Sequence, residues 1–402
     1  MKRLQHFCTW VFAKLWNFLK RKVFLILCIV GIIIIISRWR LICINMESQL
    51  KVQYICSSFA EGQSVGSLCH GLCQPQVSSS LSCFNLYMER NAVFSGVWMN
   101  NTVVFKTLKK SKINNFPLLE ESMPVEYSSE NEFSKLIKNT IKFKFNISIN
   151  DVDAKRMSYI QYNQNGGSRH VEMENVWLLL QDNEYIALSL YEKFNLFPKL
   201  YGTCGSLYAV QKLNPISRFW NFMTLYDSPE EWEKRVKISV LILDYLLQLE
   251  ANFPEPLMLC DVKMSHFGVT DDLKKVMYLD LDSVHPLSVA NRITADGSSC
   301  KQHSDCDYQD CRSFCNLATK KCQFGVANNN LQIVCEKIFL GWVMSGRVIV
   351  PGLLVGPRTP MVLLEVLEKC ANPTGEAGLS RSPTTKDIRK SLYTFLVHLT
   401  MI

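Results

Sequence analysis

The chain has 402 residues, of which 48% are hydrophobic and 20% are charged. This composition predicts a folded protein with room for one large domain or two smaller ones. The net charge is +8, but residues 1–22 alone contain six lysines and arginines and no acidic residue. Because most of the basic excess lies in this short tail, the charge gives no reason to expect nucleic-acid binding.

An apolar segment follows the basic tail. Residues 23–36 contain no charged residue, and 23–44 form one membrane span if Arg38 and Arg40 extend their charged ends to the interface. The next residues lack a small-residue cleavage site, which favours an uncleaved signal anchor over a cleaved signal peptide. Since basic flanks stay cytosolic, we expect a single-pass type II protein. Its short span suits the thin membranes of the early secretory pathway, so we expect it in the endoplasmic reticulum membrane, with the Golgi as an alternative.

Cysteines are frequent beyond the predicted anchor. Thirteen of the sixteen lie from Cys56 onward, most of them in a lumenal segment over 45–90 and in a second cluster over 300–335. In a lumenal chain this density indicates disulfides, with buried free thiols and zinc binding as alternatives. Thirteen is odd, so at least one thiol is free or pairs elsewhere, for example with Cys43. The disulfide candidates are Cys56, Cys69, Cys73, Cys83, Cys300, Cys306, Cys311, Cys315, Cys322 and Cys335.

The middle of the chain predicts hairpins and helices. β-Branched and aromatic residues over Ala92–Trp98 and Thr102–Lys106 predict a hairpin that turns at Asn100. Asn100 and Asn146 begin Asn-X-Ser/Thr sequons, so we expect N-glycans on both in the lumen. Apolar spacing then predicts, in order, a short helix over 130–142, a helix over Glu172–Tyr191 and a second hairpin over 200–213.

The second half of the chain is predicted to be mostly helical. The run Ser-Pro-Glu-Glu at 228–231 marks the start of a long helix that ends near Glu250. Two short strands follow, Leu257–Cys260 and Val276–Leu279, and an aspartate comes directly after each. From Leu331 onward the pattern predicts helices, interrupted at 351–360 and 371–383.

Charged residues at the ends of these elements are those that phosphoryl transfer requires. That reaction needs a cation for the phosphates, an acid to hold the cation, and carboxylates for the acceptor hydroxyl and for magnesium. Lys106 ends a strand, Glu184 lies on a helix, and Asp261 and Asp280 follow the two short strands. Taken singly, each residue also fits a solvated surface charge. Two apolar strands, each followed by an aspartate, form a more specific arrangement.

Together these features resemble the divergent protein kinase domain family, in particular its cysteine-rich type II members of the endoplasmic reticulum. The similarity runs from Cys56 to the end of the chain and includes Tyr201-Gly202-Thr203-Cys204-Gly205-Ser206-Leu207-Tyr208, Leu259-Cys260-Asp261 and the cysteines from Cys300 to Cys322. It implies an α+β, bilobal protein-kinase-like fold with cysteine-rich insertions. The N-lobe would cover 91–215, and the C-lobe would cover 216–402 with its cysteine-rich segment at 300–335.

The resemblance also implies a role for each charged residue, with ATP and Mg²⁺ or Mn²⁺ as cofactors. Lys106 would bind the ATP phosphates and pair with Glu184. Asp261 would be the catalytic base and Lys263 would meet the γ-phosphate. Asp280 would bind the metal ion. Asp282 departs from the pattern, since it stands where the glycine of the Asp-Phe-Gly motif would be, but it offers a second metal carboxylate.

An EF-hand-like insertion in that family corresponds here to about 151–175. Its loop has Gly166 at position six and Glu172 at position twelve, as a calcium loop requires. However, Gln161, Asn163 and Asn165 stand where carboxylates would neutralise the ion. We therefore expect calcium binding to be weak or absent.

Other departures from the family pattern bear on activity. No glycine-rich GxGxxG motif precedes Phe94, and His266 replaces the magnesium-binding asparagine. Cys260 replaces the arginine that reads a phosphorylated activation loop, and the cysteine-rich segment follows where that loop would run. Regulation by loop phosphorylation is therefore not expected.

Three functions remain open. The first is a lumenal kinase that transfers phosphate from ATP to an unknown protein or glycan of the secretory pathway. The second is a pseudokinase that acts as a binding or scaffold protein, which the missing glycine-rich loop and His266 favour. The third is a glycosyltransferase, because type II topology and the motif Asp280-Leu281-Asp282 are typical of that class. It leaves Lys106 and Asp261 without a role.

Overall fold

The computed structural model describes residues 25, 27–34, 50–74, 82–83, 92–99, 101–107, 129–160, 169–219, 227–344 and 347–401. Among these residues, no helix has both the length and the apolar character needed to cross a membrane. The basic tail over 1–22 and most of the anchor predicted over 23–44 lie outside the described residues. The described part is a mixed helix and sheet domain.

Helices and strands occur in both halves of the chain. Residues 27–34, within the predicted anchor, are helical. The further helices are α1 (50–60), α2 (Cys69–Leu72), α3 (Glu130–Phe145), α4 (Asp151–Ser158), α5 (Arg169–Leu179), α6 (Asn183–Leu190), α7 (Pro229–Ala251), α8 (Leu287–Thr294), α9 (Asn330–Val334), α10 (Met361–Ala371) and α11 (Lys386–Met401). The strands are β1 (Ser82–Cys83), β2 (Ala92–Trp98), β3 (Asn101–Thr107), β4 (Leu200–Cys204), β5 (Leu207–Gln211), β6 (Asn214–Pro215), β7 (Leu257–Leu259), β8 (Phe267–Val269), β9 (Val276–Tyr278), β10 (Val284–Pro286), β11 (Cys315–Asn316), β12 (Lys321–Cys322), β13 (Gly341–Met344) and β14 (Arg347–Pro351).

The first sheet has five strands in the order β1-β2-β3-β5-β4, and its described pairings are antiparallel. It contains both predicted hairpins. Because strand side chains alternate between faces, Val103 and Phe105 of β3 pack into a cluster with α1 and α2, whereas Val104 packs into the main core. Lys106 follows the same alternation as Val104. The strand therefore directs Lys106 away from α1 and α2 and toward the main core.

One predicted helix is two helices in the structure. The expected helix over Glu172–Tyr191 is interrupted after Leu179, and α6 starts afresh behind Asp182. Asp182 accepts the backbone N–H groups of Glu184 and Tyr185, which is the usual action of an N-cap. Apolar spacing concealed this break because both helices place apolar residues on the same core.

A second correction concerns the C-terminal part, which was expected to be helical from Leu331 apart from 351–360 and 371–383. After α9 and a π-helical turn over Cys335–Leu340, the chain forms the antiparallel hairpin β13–β14. Its sequence carries several β-branched residues, and these favour strands over helices. Gly341 has φ of 95°, a backbone conformation that glycine adopts without the cost paid by other residues.

The long helix α7 organises the part that follows the first sheet. It begins as predicted, since the Ser228 hydroxyl accepts the N–H of Glu231 and Pro229 takes the first helical position. Its buried Tyr245 accepts the N–H of Tyr278, which fixes β9 against the helix. β7 pairs with β10, and β9 pairs with β8. β7 leads to Asp261 and β9 leads to Asp280, so these two small sheets fix the positions of both aspartates.

Six disulfides join twelve cysteines in the described residues. The pairs are Cys56–Cys73, Cys69–Cys204, Cys260–Cys311, Cys300–Cys315, Cys306–Cys322 and Cys335–Cys370. Nine of the ten candidates from the sequence are among them, and the side chain of Cys83 lies outside the described residues. Cys204, Cys260 and Cys370 were not candidates. They are isolated in sequence, and only the fold brings each one to a partner. For the paired cysteines these bonds replace the free-thiol and zinc alternatives.

Candidate functional site

Lys106, at the end of β3, is held between α6 and the end of β9. Its Nζ lies 2.5 Å from Oε1 of Glu184 and donates to the carbonyl oxygen of Leu279 at 2.8 Å. The side chains of Lys106 and Glu184 are 11% and 3% exposed, so the pair is largely removed from water. The structure thus joins the strand lysine, the helix glutamate and the residue that precedes Asp280.

Asp182, which the sequence analysis did not single out, holds α6 in this position. Besides capping α6, its carboxylate accepts the hydroxyl of Tyr208 at 3.0 Å. Tyr208 is the register partner of Lys106 in the sheet. The cap therefore ties the start of α6 to the strand beside Lys106. An Asp-Asn-Glu start was visible in the sequence as a cap pattern, but the apolar spacing was read as one continuous helix.

Several carboxyl groups are concentrated around Lys106. Burial raises the pKa of Glu184 and of Asp182, and it raises the pKa of Asp282 to about 8, while the charge of Lys106 opposes all three shifts. For Lys106, burial disfavours the charged form, but Glu184, Asp280 and Asp282 outweigh burial and raise its pKa. Ionising these carboxyl groups together is unfavourable, because burial removes them from water and their negative charges repel one another. A divalent cation bound between them would offset that cost.

Three of these groups have the arrangement of a metal site. Glu184, Asp280 and Asp282 each offer a carboxylate oxygen, and the three atoms lie within 4.8 Å of one another. The side chain of Asp280 is 40% exposed, so this carboxylate is accessible from solvent. Oxygen ligands of this kind suit Mg²⁺. The residues present therefore fit a divalent metal, with Glu184 already engaged by Lys106.

Asp261, the predicted base, lies on the loop after β7. Its Oδ2 is 2.8 Å from Nζ of Lys263, and the two side chains are 24% and 55% exposed, so both remain accessible. The backbone carbonyl of Asp261 accepts the Tyr278 hydroxyl and faces Nδ1 of His266 at 2.9 Å. Ligand atoms of Asp261, His266 and Asp280 also lie within 4.8 Å of one another. We call the space bordered by Lys106, Glu184, Asp261, His266, Asp280 and Asp282 the cleft.

The cysteine-rich segment holds the loop that carries Asp261. Cys260 forms a disulfide with Cys311, and the N–H of Asp310 donates to the carbonyl of Cys260 at 2.8 Å. The Asp310 carboxylate accepts the N–H of Val262 at 2.7 Å and pairs with Lys337 at 2.7 Å. The backbone is therefore fixed on both sides of Asp261. Cys260 was interpreted only as a missing arginine, and its covalent role comes from the fold.

The two predicted glycosylation sites differ in what the structure describes. Asn100 lies outside the described residues. Asn146 ends α3 with φ of 54° and is exposed, and its Nδ2 donates to the hydroxyl of Ser288 at 2.9 Å. Glycosylation of both residues stays a prediction.

In the EF-hand-like insertion, an arginine side chain pairs with the carboxylate that calcium would need as a ligand. Residues 161–168 lie outside the described residues, but Glu172, the twelfth position of the loop, is buried. Its carboxylate accepts the N–H of Ile160 at 2.9 Å and pairs with Arg169 at 2.7 Å. The Arg169 guanidinium also pairs in two contacts with Glu130 and donates to the carbonyl of Ser158. Arg169 therefore occupies the carboxylate that calcium would use.

We expect the purified chain to show no micromolar calcium affinity in titration calorimetry. Calcium would have to displace Arg169 from Glu172, and the loop lacks the carboxylates that would compensate. The variant Arg169→Ala is the matched comparison, because it frees Glu172 without adding a ligand. A micromolar dissociation constant for the unmodified chain would show that the expectation is wrong.

Comparison with known families agrees with the features above. Residues 176–373, which contain Glu184, Asp261 and Asp280, match the family model described as the protein-kinase domain of FAM69. Residues 16–157, which contain Lys106, match the model described as the N-terminal cysteine-rich ER segment of FAM69. The two matches are parts of one family and together cover most of the chain. This protein therefore belongs to the FAM69 family, a divergent cysteine-rich family with a protein-kinase domain.

Proposed function

We propose that this protein binds ATP with a divalent cation in the cleft and transfers the γ-phosphate to a hydroxyl group of a lumenal protein or glycan. The observation that carries the proposal is the buried ion pair of Lys106 and Glu184. The same ammonium donates to the carbonyl of Leu279, the residue before Asp280. An ammonium held by a glutamate beside a metal-binding aspartate is the arrangement that positions ATP phosphates for transfer. The bilobal division and the ATP cofactor are part of this proposal.

Each cleft residue has a task in this reaction. Lys106 donates to the nucleotide phosphates, and Glu184 keeps the ammonium in place. Asp261 accepts the proton of the attacking hydroxyl while that oxygen forms a bond to the γ-phosphorus and the bond to ADP breaks. Lys263, which pairs with Asp261 at 2.8 Å, is close enough to neutralise charge on the transferred group. A bound divalent cation, held by Asp280 and Asp282, supplies charge neutralisation at the phosphates.

The second candidate is a pseudokinase that binds a partner or a nucleotide without transferring phosphate. Its support is the substitution pattern around the same cleft, since His266 takes the place of an amide ligand and no GxGxxG motif covers the phosphates. Residues 84–91, which connect β1 to β2, lie outside the described residues. The glycosyltransferase alternative has less support. The strand before Asp280 belongs to a small antiparallel sheet, whereas nucleotide-sugar folds use parallel βαβ units.

The nucleotide part of the proposal predicts ligand-induced stabilisation. At a concentration of ATP and metal about 100 times the dissociation constant, the chain should gain about 2.7 kcal/mol of unfolding free energy. Asp280→Asn should lose most of this gain, because it removes a metal carboxylate while keeping the side-chain size. Thermal unfolding with and without ATP and Mg²⁺ or Mn²⁺ measures both effects.

The control for this experiment is Asp272→Asn. Asp272 is an exposed carboxylate in the turn between β8 and β9, and it accepts the Thr270 hydroxyl and the Lys274 N–H. This variant should keep the full nucleotide response. If the unmodified chain gains no stability with either metal, the nucleotide-binding proposal fails.

We also propose a type II orientation, with residues 1–22 in the cytosol and 23–44 as the membrane anchor. The support is the basic tail, the disulfides, which form in oxidising compartments, and the ER description of the matching family segment. An N-glycan-dependent mobility shift that disappears in a Thr102→Ala, Ser148→Ala double variant is the expected result. A glycan-free chain in microsomes would contradict this orientation.

A further inference from the structure

His266 is a residue of the cleft that the phosphoryl-transfer roles above do not use. It lies in a short turn after the Asp261 loop, and its side chain is 14% exposed. Nδ1 faces the backbone carbonyl of Asp261 at 2.9 Å. A carbonyl oxygen only accepts hydrogen bonds, so Nδ1 carries a proton and donates it. In the neutral ring, Nε2 then carries the free electron pair.

The atom that carries this electron pair lies close to a carboxylate. Nε2 of His266 lies 3.3 Å from Oδ2 of Asp280, and both atoms are acceptors when the ring is neutral. Two acceptors at this distance are held together by a shared cation, which is either a proton or a metal ion. Neighbouring ligands of a six-coordinate dication bound at about 2.1 Å stand roughly 3 Å apart. The observed separation therefore matches two ligands on one metal ion.

The surroundings of His266 are those of a metal-binding histidine. Such a ligand usually donates its second ring N–H to a carbonyl or carboxylate, which fixes the tautomer and the ring orientation. Here the carbonyl of Asp261 has that role, and the Tyr278 hydroxyl bonds to the same oxygen. A side-chain oxygen of Asp261 also lies within 4.8 Å of the ligand atoms of His266 and Asp280.

The geometry points to His266 Nε2 and Asp280 as joint ligands of a first-row transition-metal dication, which the cleft binds in preference to Mg²⁺. An imidazole nitrogen adds little affinity for Mg²⁺, which favours oxygen ligands, whereas Mn²⁺ and the later first-row dications accept mixed nitrogen and oxygen sets. Mn²⁺ also binds phosphate and carboxylate oxygens, so one ion can serve both His266 and the nucleotide. This inference rests on the proposed function for the role of the ion, but its test does not require activity.

Pulsed electron paramagnetic resonance of the purified full chain with Mn²⁺ tests the inference directly. A nitrogen-14 modulation from a bound imidazole is expected for the unmodified chain and should be absent in His266→Asn. In parallel, competition between Mg²⁺ and Mn²⁺ should show that His266→Asn weakens Mn²⁺ binding by at least about tenfold. Mg²⁺ binding should change little, because the asparagine still offers an oxygen.

Control variants separate ligation from folding. His170→Asn alters an exposed histidine of α5 that pairs with Glu174, and it should keep the nitrogen modulation and the Mn²⁺ affinity. His266→Gln is a second replacement at the same position in case asparagine disturbs the loop. The carbonyl of Asp261 retains the Tyr278 hydroxyl in both His266 variants, so the loop keeps one of its two hydrogen bonds there.

Two results would overturn the inference. The first is the absence of nitrogen modulation in the unmodified chain with Mn²⁺, which would leave a proton-shared His266–Asp280 pair only. The second is an equal loss of Mg²⁺ and Mn²⁺ affinity in both His266 variants. If ATP stabilises the chain without nitrogen modulation, this inference fails and the proposed function stands. If the modulation appears but ATP has no effect, the metal site stands and the proposed function fails.

Discussion

Replacing Asp261 with asparagine is expected to lower the rate of phosphate transfer by about 100- to 10,000-fold, the usual contribution of a general base. Asparagine keeps the size of the side chain but cannot take the proton of the acceptor hydroxyl. The backbone carbonyl of Asp261, which bonds to Tyr278 and His266, is unchanged by the substitution. Incorporation of labelled phosphate into a lumenal extract or into the chain itself provides the measurement.

The nucleotide response separates catalysis from binding in this variant. Asp261→Asn should be stabilised by ATP and metal as much as the unmodified chain, since Lys106 and Asp280 are intact. Asp296→Asn is the matched control, because Asp296 is an exposed carboxylate between α8 and the cysteine-rich segment that accepts the N–H of Ser298. Equal transfer rates in the Asp261 and Asp296 variants would remove Asp261 from the reaction. No transfer by the unmodified chain, together with ATP binding, would favour the pseudokinase.

The positions of the two aspartates were predictable because local patterns mark them. Asp261 and Asp280 each follow a short apolar strand, and a strand end is where a folded chain presents a polar side chain. Lys106 was recognisable because it stands near the end of a predicted strand. What the sequence could not supply was distance, since the Lys106–Glu184 contact joins residues 78 positions apart. Only the packing of α6 against the sheet brings them together.

The parts that could not be predicted are tertiary. Cys260 and Cys370 are isolated along the chain, and their bonds to Cys311 and Cys335 follow from how the cysteine-rich segment folds back. Asp310 is likewise one acid among many in sequence, yet it binds the backbone beside Asp261. A segment that appeared to interrupt the kinase-like pattern thus supports its central loop. Where the kinase pattern has an arginine that binds a phosphorylated loop, this chain has the Cys260–Cys311 disulfide and the buried carboxylate of Asp310.

The Cys69–Cys204 disulfide should be the largest single covalent contribution to stability in the N-terminal part. It joins α2 to β4 across a sequence separation of 135 residues, so it restricts the unfolded chain strongly. The loop-entropy relation gives about 5 kcal/mol for a loop of this length. Both sulfurs are buried in the cluster that contains Leu68, Phe94 and Phe105, so their loss also weakens packing on the outer face of the sheet.

The double variant Cys69→Ala, Cys204→Ala should therefore lose about 5 kcal/mol of unfolding free energy in denaturant titration. Its comparison is Cys56→Ala, Cys73→Ala, which removes a bond of separation 17 in the same segment and should cost about 3 kcal/mol. The order of the two losses tests the dependence on loop length, since the two bonds differ in sequence separation. A smaller loss for the long-range bond would mean that the N-terminal cysteine-rich segment stays docked on the sheet without it. The apolar cluster alone would then hold the outer face of β3, opposite the face that presents Lys106.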